Sequence, residues 1–187
     1  KKNHIILCNF AIKLFYMALI KSVKGLSPKW GSECWIAENA TIVGEVVMGN
    51  KCTVWFNAVI RGDVHYIHIG NNVNIQDQVV IHCTYQTSPV EIGNNVSIGH
   101  GAIVHGCKIG NNVLIGMGAI IMDDVIIEDN CIIAAGAIIT KNTHVSSYSV
   151  MAGIPAKKIK NLTKELFQKE VVDIANHYPI YAKWYDI

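Results

Sequence analysis

Three histidines lie within two residues of an inward-pattern aliphatic: His82 in "VIH", His100 in "IGH" and His105 in "AIVH". A neutral imidazole offers one nitrogen lone pair. A single such group serves as a general base, and three that converge make a metal site with room left for water or substrate. Arginine, carboxylates and amides lie upstream, with Arg61 and Asp63 in "VIRGD" and Asn74, Gln76 and Asp77 in "NIQD". The spacing poses a problem, because His100 and His105 are five residues apart. A helix aligns residues four apart on one face and a strand aligns residues two apart.

An internal repeat resolves it. Aliphatic residues recur at Ile36, Ile42, Met48, Val54 and Ile60, then Ile69, Ile75 and Ile81, then Ile92, Ile98 and Val104. The series continues through Ile109, Ile115, Ile121, Ile127, Ile133, Ile139, Val145 and Met151, mostly in steps of six. A period of six suits short strands joined by tight corners, each strand sending one aliphatic inward, with three strands to a triangular coil. The Asn-Asn and Gly residues of "IGNNVN", "IGNNVS" and "IGNNVL" supply the backbone angles that corners need. The pattern resembles the hexapeptide-repeat proteins, and this resemblance implies a left-handed parallel β-helix.

Strands three apart in the series stack on one side of such a prism. Ile60, Ile81 and Val104 therefore share a side, and the residues after them, Arg61, His82 and His105, form an outward column. With a rise of about 4.8 Å per coil, His82 and His105 can reach one ion at about 2.0–2.1 Å from each nitrogen. His100 lies around the corner, stacked on Asp77. It is placed to meet the His82–His105 pair of a neighbouring chain, which predicts a three-histidine site shared between subunits of a homotrimer. Extra residues intrude near "HYIH" and "TYQTSP", both close to the histidines, and are expected to form loops outside the coil.

The remaining expectations are broader. The size fits one domain, and a net charge of +2 with scattered lysines gives no electrostatic reason for nucleic-acid binding. The cluster Lys157, Lys158 and Lys160 reads as a solvated loop. Six cysteines contain no CxxC pair, which favours small core residues in a reducing, cytoplasmic compartment. Residues 1–16 read as an N-terminal extension or leader, too broken by Lys13 for a membrane span or a clean secretion signal. A short amphipathic helix is expected after Met17. The β-helix domain is expected over 17–156 and a C-terminal helix over 157–187, with Pro179 kinking it or starting a second helix.

"FNAVIRGD", "NIQD", "VIH" and "IGHGAIVHGC" together resemble the γ-class carbonic anhydrases. The resemblance implies that His82, His105 and a neighbour's His100 hold Zn2+, or Fe2+ or Co2+, and that metal-activated water hydrates CO2 to bicarbonate. It implies that Gln76 orients the hydroxide or substrate, assisted by Asn74. Arg61 either holds bicarbonate or pairs with Asp63 or Asp77 across the subunit contact. Two glutamates of the well-known archaeal branch are absent: Val64 follows Asp63, and "HCTYQTSPV" carries Tyr85 instead of a carboxylate. His65, Tyr85 and Tyr178 are the substitutes available as proton shuttles. Two other readings remain open. One is a metal-binding homologue with little hydratase activity and an assembly or scaffold role. The other is a hexapeptide acyltransferase, which would rely on one catalytic histidine and a cofactor groove between chains.

Overall fold

The computed structural model describes residues 17–185. Residues 1–16, with the leader reading, lie outside the described residues, as do 186–187. The chain winds as a triangular parallel β-helix whose three faces stack the aliphatic series in register. The first face stacks Ile36, Val54, Ile75, Ile98, Ile115, Ile133 and Met151. The second stacks Ile42, Ile60, Ile81, Val104, Ile121 and Ile139. The third stacks Met48, Ile69, Ile92, Ile109, Ile127 and Val145. Most of these side chains are fully buried, and together they form one continuous column of hydrocarbon. That column is the main source of stability, because short strands gain little from local pairing alone.

Each corner answers to particular residues. Asn72, Asn95, Asn112 and Asn130 all adopt positive φ. Asn tolerates that region because its short side chain bonds locally. The preceding residues form a ladder: Asn94 Oδ1 accepts from the Asn71 backbone N–H at 2.8 Å, and Asn111 Oδ1 accepts from that of Asn94 at 2.9 Å. The ladder ends on Asp129, whose Oδ1 accepts from the Asn111 backbone at 2.7 Å. This corner is thus satisfied by side chains one coil away, not by water alone.

The insertion near "HYIH" does not leave the coil. Thr41–Met48 and Val59–Ile69 run round the corner between the second and third faces as continuous strands. Their pairing slips between Gly44 and Val46, where the longer strand carries the extra residues as a bulge. A Cβ on Gly44 would sit 2.2 Å from the Gly62 carbonyl oxygen, so glycine is required where these backbones cross. The second insertion does form a turn, closed by the Thr84–Ser88 bridge.

Three other expectations are corrected. No helix follows Met17: Leu19–Lys21 is a strand paired on Thr41–Val43, and Lys29–Trp30 pairs on Val47–Met48. The solenoid therefore starts before Ile36, because Ile20 can stack on Ile42. The lysine cluster is not a loop. Ala156–Asn161 returns as an antiparallel strand on Ser149–Gly153 and closes that edge of the first face. The C-terminal helix starts at Lys164, after Thr163 caps it by accepting from the Leu166 N–H at 3.2 Å. It passes through a wide π segment, Phe167–Val172, and then runs as α-helix over Asp173–Ala182 with Pro179 inside and no second start. Val171 and Leu162 pack on Ile132 and Val150 of the first face. Tyr178 and Tyr185 meet Trp55 edge-on, with ring centroids 5.2 and 5.9 Å away.

Candidate metal centre

The second face brings Arg61, His82 and His105 into register, each opposite the next. His82 Nδ1 and His105 Nε2 lie 3.1 Å apart. Two nitrogens on a tetrahedral ion at about 2.0–2.1 Å would be separated by roughly 3.3 Å, so the pair is already set at the bite of one metal. Each ring also has a carboxylate on its other nitrogen. Asp63 Oδ1 is 3.2 Å from His82 Nε2, and Asp123 Oδ1 is 2.5 Å from His105 Nδ1. A carboxylate on the far nitrogen fixes the tautomer and turns the near lone pair toward the ion. The residues therefore fit a histidine-ligated transition metal.

The electrostatics point the same way. Burial holds the His82 imidazole below its ordinary pKa, helped by the Arg61 guanidinium and by His105, while Asp63 opposes the shift. A neutral ring is the form that ligates. Burial acts to raise the Asp63 pKa, but hydrogen bonds from Arg61 and His82 outweigh it and keep the carboxylate ionised. Arg61 Nη1 is 2.6 Å from Asp63 Oδ2, a pairing within the chain.

His100 sits at a corner, just before Gly101 with φ +67°. Its Nδ1 is 2.8 Å from Asp77 Oδ2, and its backbone N–H donates to Gln76 Oε1 at 3.2 Å. Gln76 Nε2 donates to Asn74 Oδ1 at 3.0 Å, and Asn74 Nδ2 to Ser97 Oγ at 2.7 Å. The amide chain is buried and its geometry is set from below. One chain thus holds two separate clusters: the His82–His105 pair with Asp63 and Asp123, and His100 with Asp77, Gln76 and Asn74. Among the described residues, no three His, Cys, Asp or Glu side chains assemble into a metal-holding group.

Sequence reasoning missed Asp123. It stands two residues past Ile121 on the next coil, beside Gly106, and its second oxygen accepts from Thr84 Oγ1 at 3.0 Å. Asp123 so ties His105 to the turn that follows His82. The shuttle candidates are dispersed. His65 Nδ1 accepts from the Tyr66 N–H at 2.9 Å, leaving only Nε2 for other partners. Tyr85 is exposed, with Lys24 Nζ 5.7 Å from its ring centroid. Tyr178 shares a groove with His100 and Gln76, and burial pushes its phenol up to about 12, aided by the Asp77 charge. Val64 packs against the core, where the archaeal pattern has a carboxylate. His68 stacks on Tyr66, His177 on Tyr181, and His144 bonds Glu128 at 2.8 Å. His4 lies outside the described residues.

A prism of stacked six-residue coils defines a hexapeptide-repeat protein, and its second face carries an outward histidine pair. The family description "Bacterial transferase hexapeptide (six repeats)" matches residues 106–141. The chain is 36% identical to a carbonic anhydrase of Geobacillus kaustophilus over 86% of this chain and 91% of the relative. It is also 36% identical to the mitochondrial gamma carbonic anhydrase 2 of Arabidopsis thaliana, over 74% of this chain. It spans about half of that plant relative, 52% of its length. A hexapeptide transferase family protein from Anaplasma phagocytophilum superposes with a TM-score of 0.82 at 35% identity, over 89% of this chain and 98% of that one. The chain belongs to the γ-class carbonic anhydrase-like proteins of the hexapeptide-repeat superfamily.

Proposed function

We propose that the protein is a homotrimer that hydrates CO2 reversibly at metal centres shared between subunits. His82 and His105 of one copy and His100 of the next would hold the ion, with Zn2+ the first choice and Fe2+ or Co2+ also compatible with imidazole ligands. The observation that carries the reading is the 3.1 Å His82–His105 pair with a carboxylate on each far nitrogen. The trimer is supported by the same face. Val80 and Ile103 form part of an apolar column beside the histidines and are 38% and 39% exposed in the single chain. Asp77 and Gln76 meanwhile hold His100 at the corner, away from its own chain's pair.

The bound ion would supply Lewis-acid activation of water toward the CO2 carbon. The chain's residues do the rest. Gln76, with its Oε1 directed to the His100 backbone and its Nε2 to Asn74, is held rigidly enough to orient a hydrogen-bonding reactant. Arg61 lies next in the column to His82 and keeps guanidinium N–H groups beyond the one that Asp63 takes, which suits a departing bicarbonate. His65, an imidazole with its Nε2 left free for a partner, is the preferred carrier for the proton released. Tyr178, with its pKa near 12, stays protonated and serves as a hydrogen-bond donor rather than a relay. The absence of CxxC pairs and the free state of the five described cysteines fit a reducing compartment such as the cytoplasm. Among the described residues, no helix is long and apolar enough to cross a membrane.

A second reading rests on Val64 and Tyr85. With no carboxylate at either position, the protein would bind metal and assemble without fast turnover. Stopped-flow CO2 hydration on metal-quantified protein, beside His100→Ala, decides between them. Hydration well above the buffer rate that disappears in the variant supports the enzyme. No rate from fully loaded protein supports the assembly role.

A further inference from the structure

Outside the histidine face, two cysteines stand opposite each other on adjacent coils of the first face. Trp35 pairs with Thr53, which sets Cys34 opposite Cys52 on the next coil. Strand neighbours lie about 4.8 Å apart, inside the Cα separation of about 4.4–6.8 Å that a disulfide spans. The two side chains are oriented alike. Cys34 Sγ is 3.2 Å from the Gly49 carbonyl, and Cys52 Sγ is 3.2 Å from the Gly70 carbonyl. Cys52 is fully buried, whereas Cys34 is partly exposed at a cleft of about 380 Å³ beside the C-terminal helix. Glu33, Lys51 and Lys183 are the charged residues lining that cleft.

We propose that Cys34 and Cys52 are a redox pair that a peroxide closes into a disulfide joining adjacent coils. The Cys34 thiolate attacks a peroxide oxygen, the O–O bond breaks, and hydroxide leaves, giving a sulfenic acid at Cys34. Cys52 then gives up its proton and its sulfur displaces the sulfenic oxygen. Two thiols and one hydrogen peroxide yield one disulfide and two waters. The reaction selects Cys34 because the other described thiols are poor nucleophiles: burial raises the pKa of Cys83 to about 11 and raises those of Cys107 and Cys131 as well. The neighbouring Cys52 thiol and the backbone around it pull Cys34 down to about 7, against the effect of burial and of Glu33. A low pKa and access together mark a reactive thiol.

The test treats the reduced, metal-loaded full chain with equimolar hydrogen peroxide, followed by denaturing alkylation and peptide mass mapping. The wild-type chain has six cysteines and should fall to four alkylatable thiols, with the bond mapped to Cys34–Cys52. Cys52→Val copies Val73, its counterpart one coil on, and should stop at a Cys34 sulfenic acid that dimedone traps. Cys34→Ser, at the more exposed position, should lose no thiols. The proposal is overturned if the wild-type chain keeps six thiols, if the bond maps to another pair, or if its Cys34 collects oxygen as in Cys52→Val.

Discussion

Replacing Asp123 tests whether the carboxylates behind the histidines shape the metal centre. Its Oδ1 lies 2.5 Å from His105 Nδ1 and its Oδ2 accepts from Thr84 at 3.0 Å. Asp123→Asn can keep both contacts by turning its oxygen to the ring and its amide to the threonine hydroxyl. Only the charge is then lost. A charge-assisted hydrogen bond is worth about 1.5–3 kcal/mol and a neutral one about 0.5–1.5 kcal/mol, so the substitution costs roughly 1.4 kcal/mol, or about tenfold in metal affinity. Asp123→Ala removes the whole contact and frees the ring to take the tautomer that aims a proton at His82. The expected loss is up to about 100-fold, the upper end for a residue supporting a metal ligand. The assay is zinc competition against a chromophoric chelator, with circular dichroism to confirm the fold. An alanine variant that folds normally and binds zinc within about threefold of wild type would refute the reasoning, since such supports are worth at least about tenfold.

Other outcomes follow from the same structure. Ile81→Ala empties the stack between Ile60 and Val104 directly under His82. It should cost about 2–5 kcal/mol in urea unfolding, and a loss below about 1 kcal/mol would show that the column relaxes around the gap. The Tyr178 phenol has its pKa raised to about 12, so the fold favours the neutral form. The stability this provides is present below its ordinary value of about 10 and is lost as pH rises from there through the folded pKa. Tyr178→Phe cannot ionise and should flatten the alkaline limb of a urea-midpoint profile, and an unchanged limb would place the effect elsewhere. The Cys34 thiol is pulled down to about 7 by the neighbouring Cys52, so its alkylation by iodoacetamide should accelerate through neutrality and level off above it. A rate that starts to climb only near pH 9 would show an ordinary, unactivated thiol.

The sixfold pattern was legible because each inward position admits only an aliphatic of limited size. From that register the Arg61–His82–His105 column and the His100–Asp77 stack follow by counting strands, and both are present. Counting fails where the backbone departs from the repeat. Residues 63–66 form a bulge rather than a loop because Gly44 and Gly62 let the strands cross closely. Residues 157–161 fall inside the range expected for the helix, yet they form a strand, and Gly153 and Pro155 before them signal the hairpin. Pro179 does not break the helix, which is held there by Trp55 and the aromatic residues around it. Asp123 was missed because nothing in its local sequence marks it, and its role appears only when the coil after His105 is superposed on it. The surroundings of His65, Tyr85 and Tyr178 are set by the packing of the corner loops, which the period does not specify.

The central claim is that one subunit supplies His82 and His105 while another supplies His100. His82→Ala and His100→Ala chains, each inactive alone, can be co-expressed so that trimers mix. Some interfaces then unite the intact pair of one chain with the intact His100 of the other, about one in four under random association in a cyclic trimer. The measurement is stopped-flow CO2 hydration of the mixed trimers with zinc quantified per chain. Recovery of about a quarter of the wild-type rate and of tightly bound zinc is the predicted result. Mixed trimers as inactive and metal-poor as either parent would contradict a centre shared between subunits.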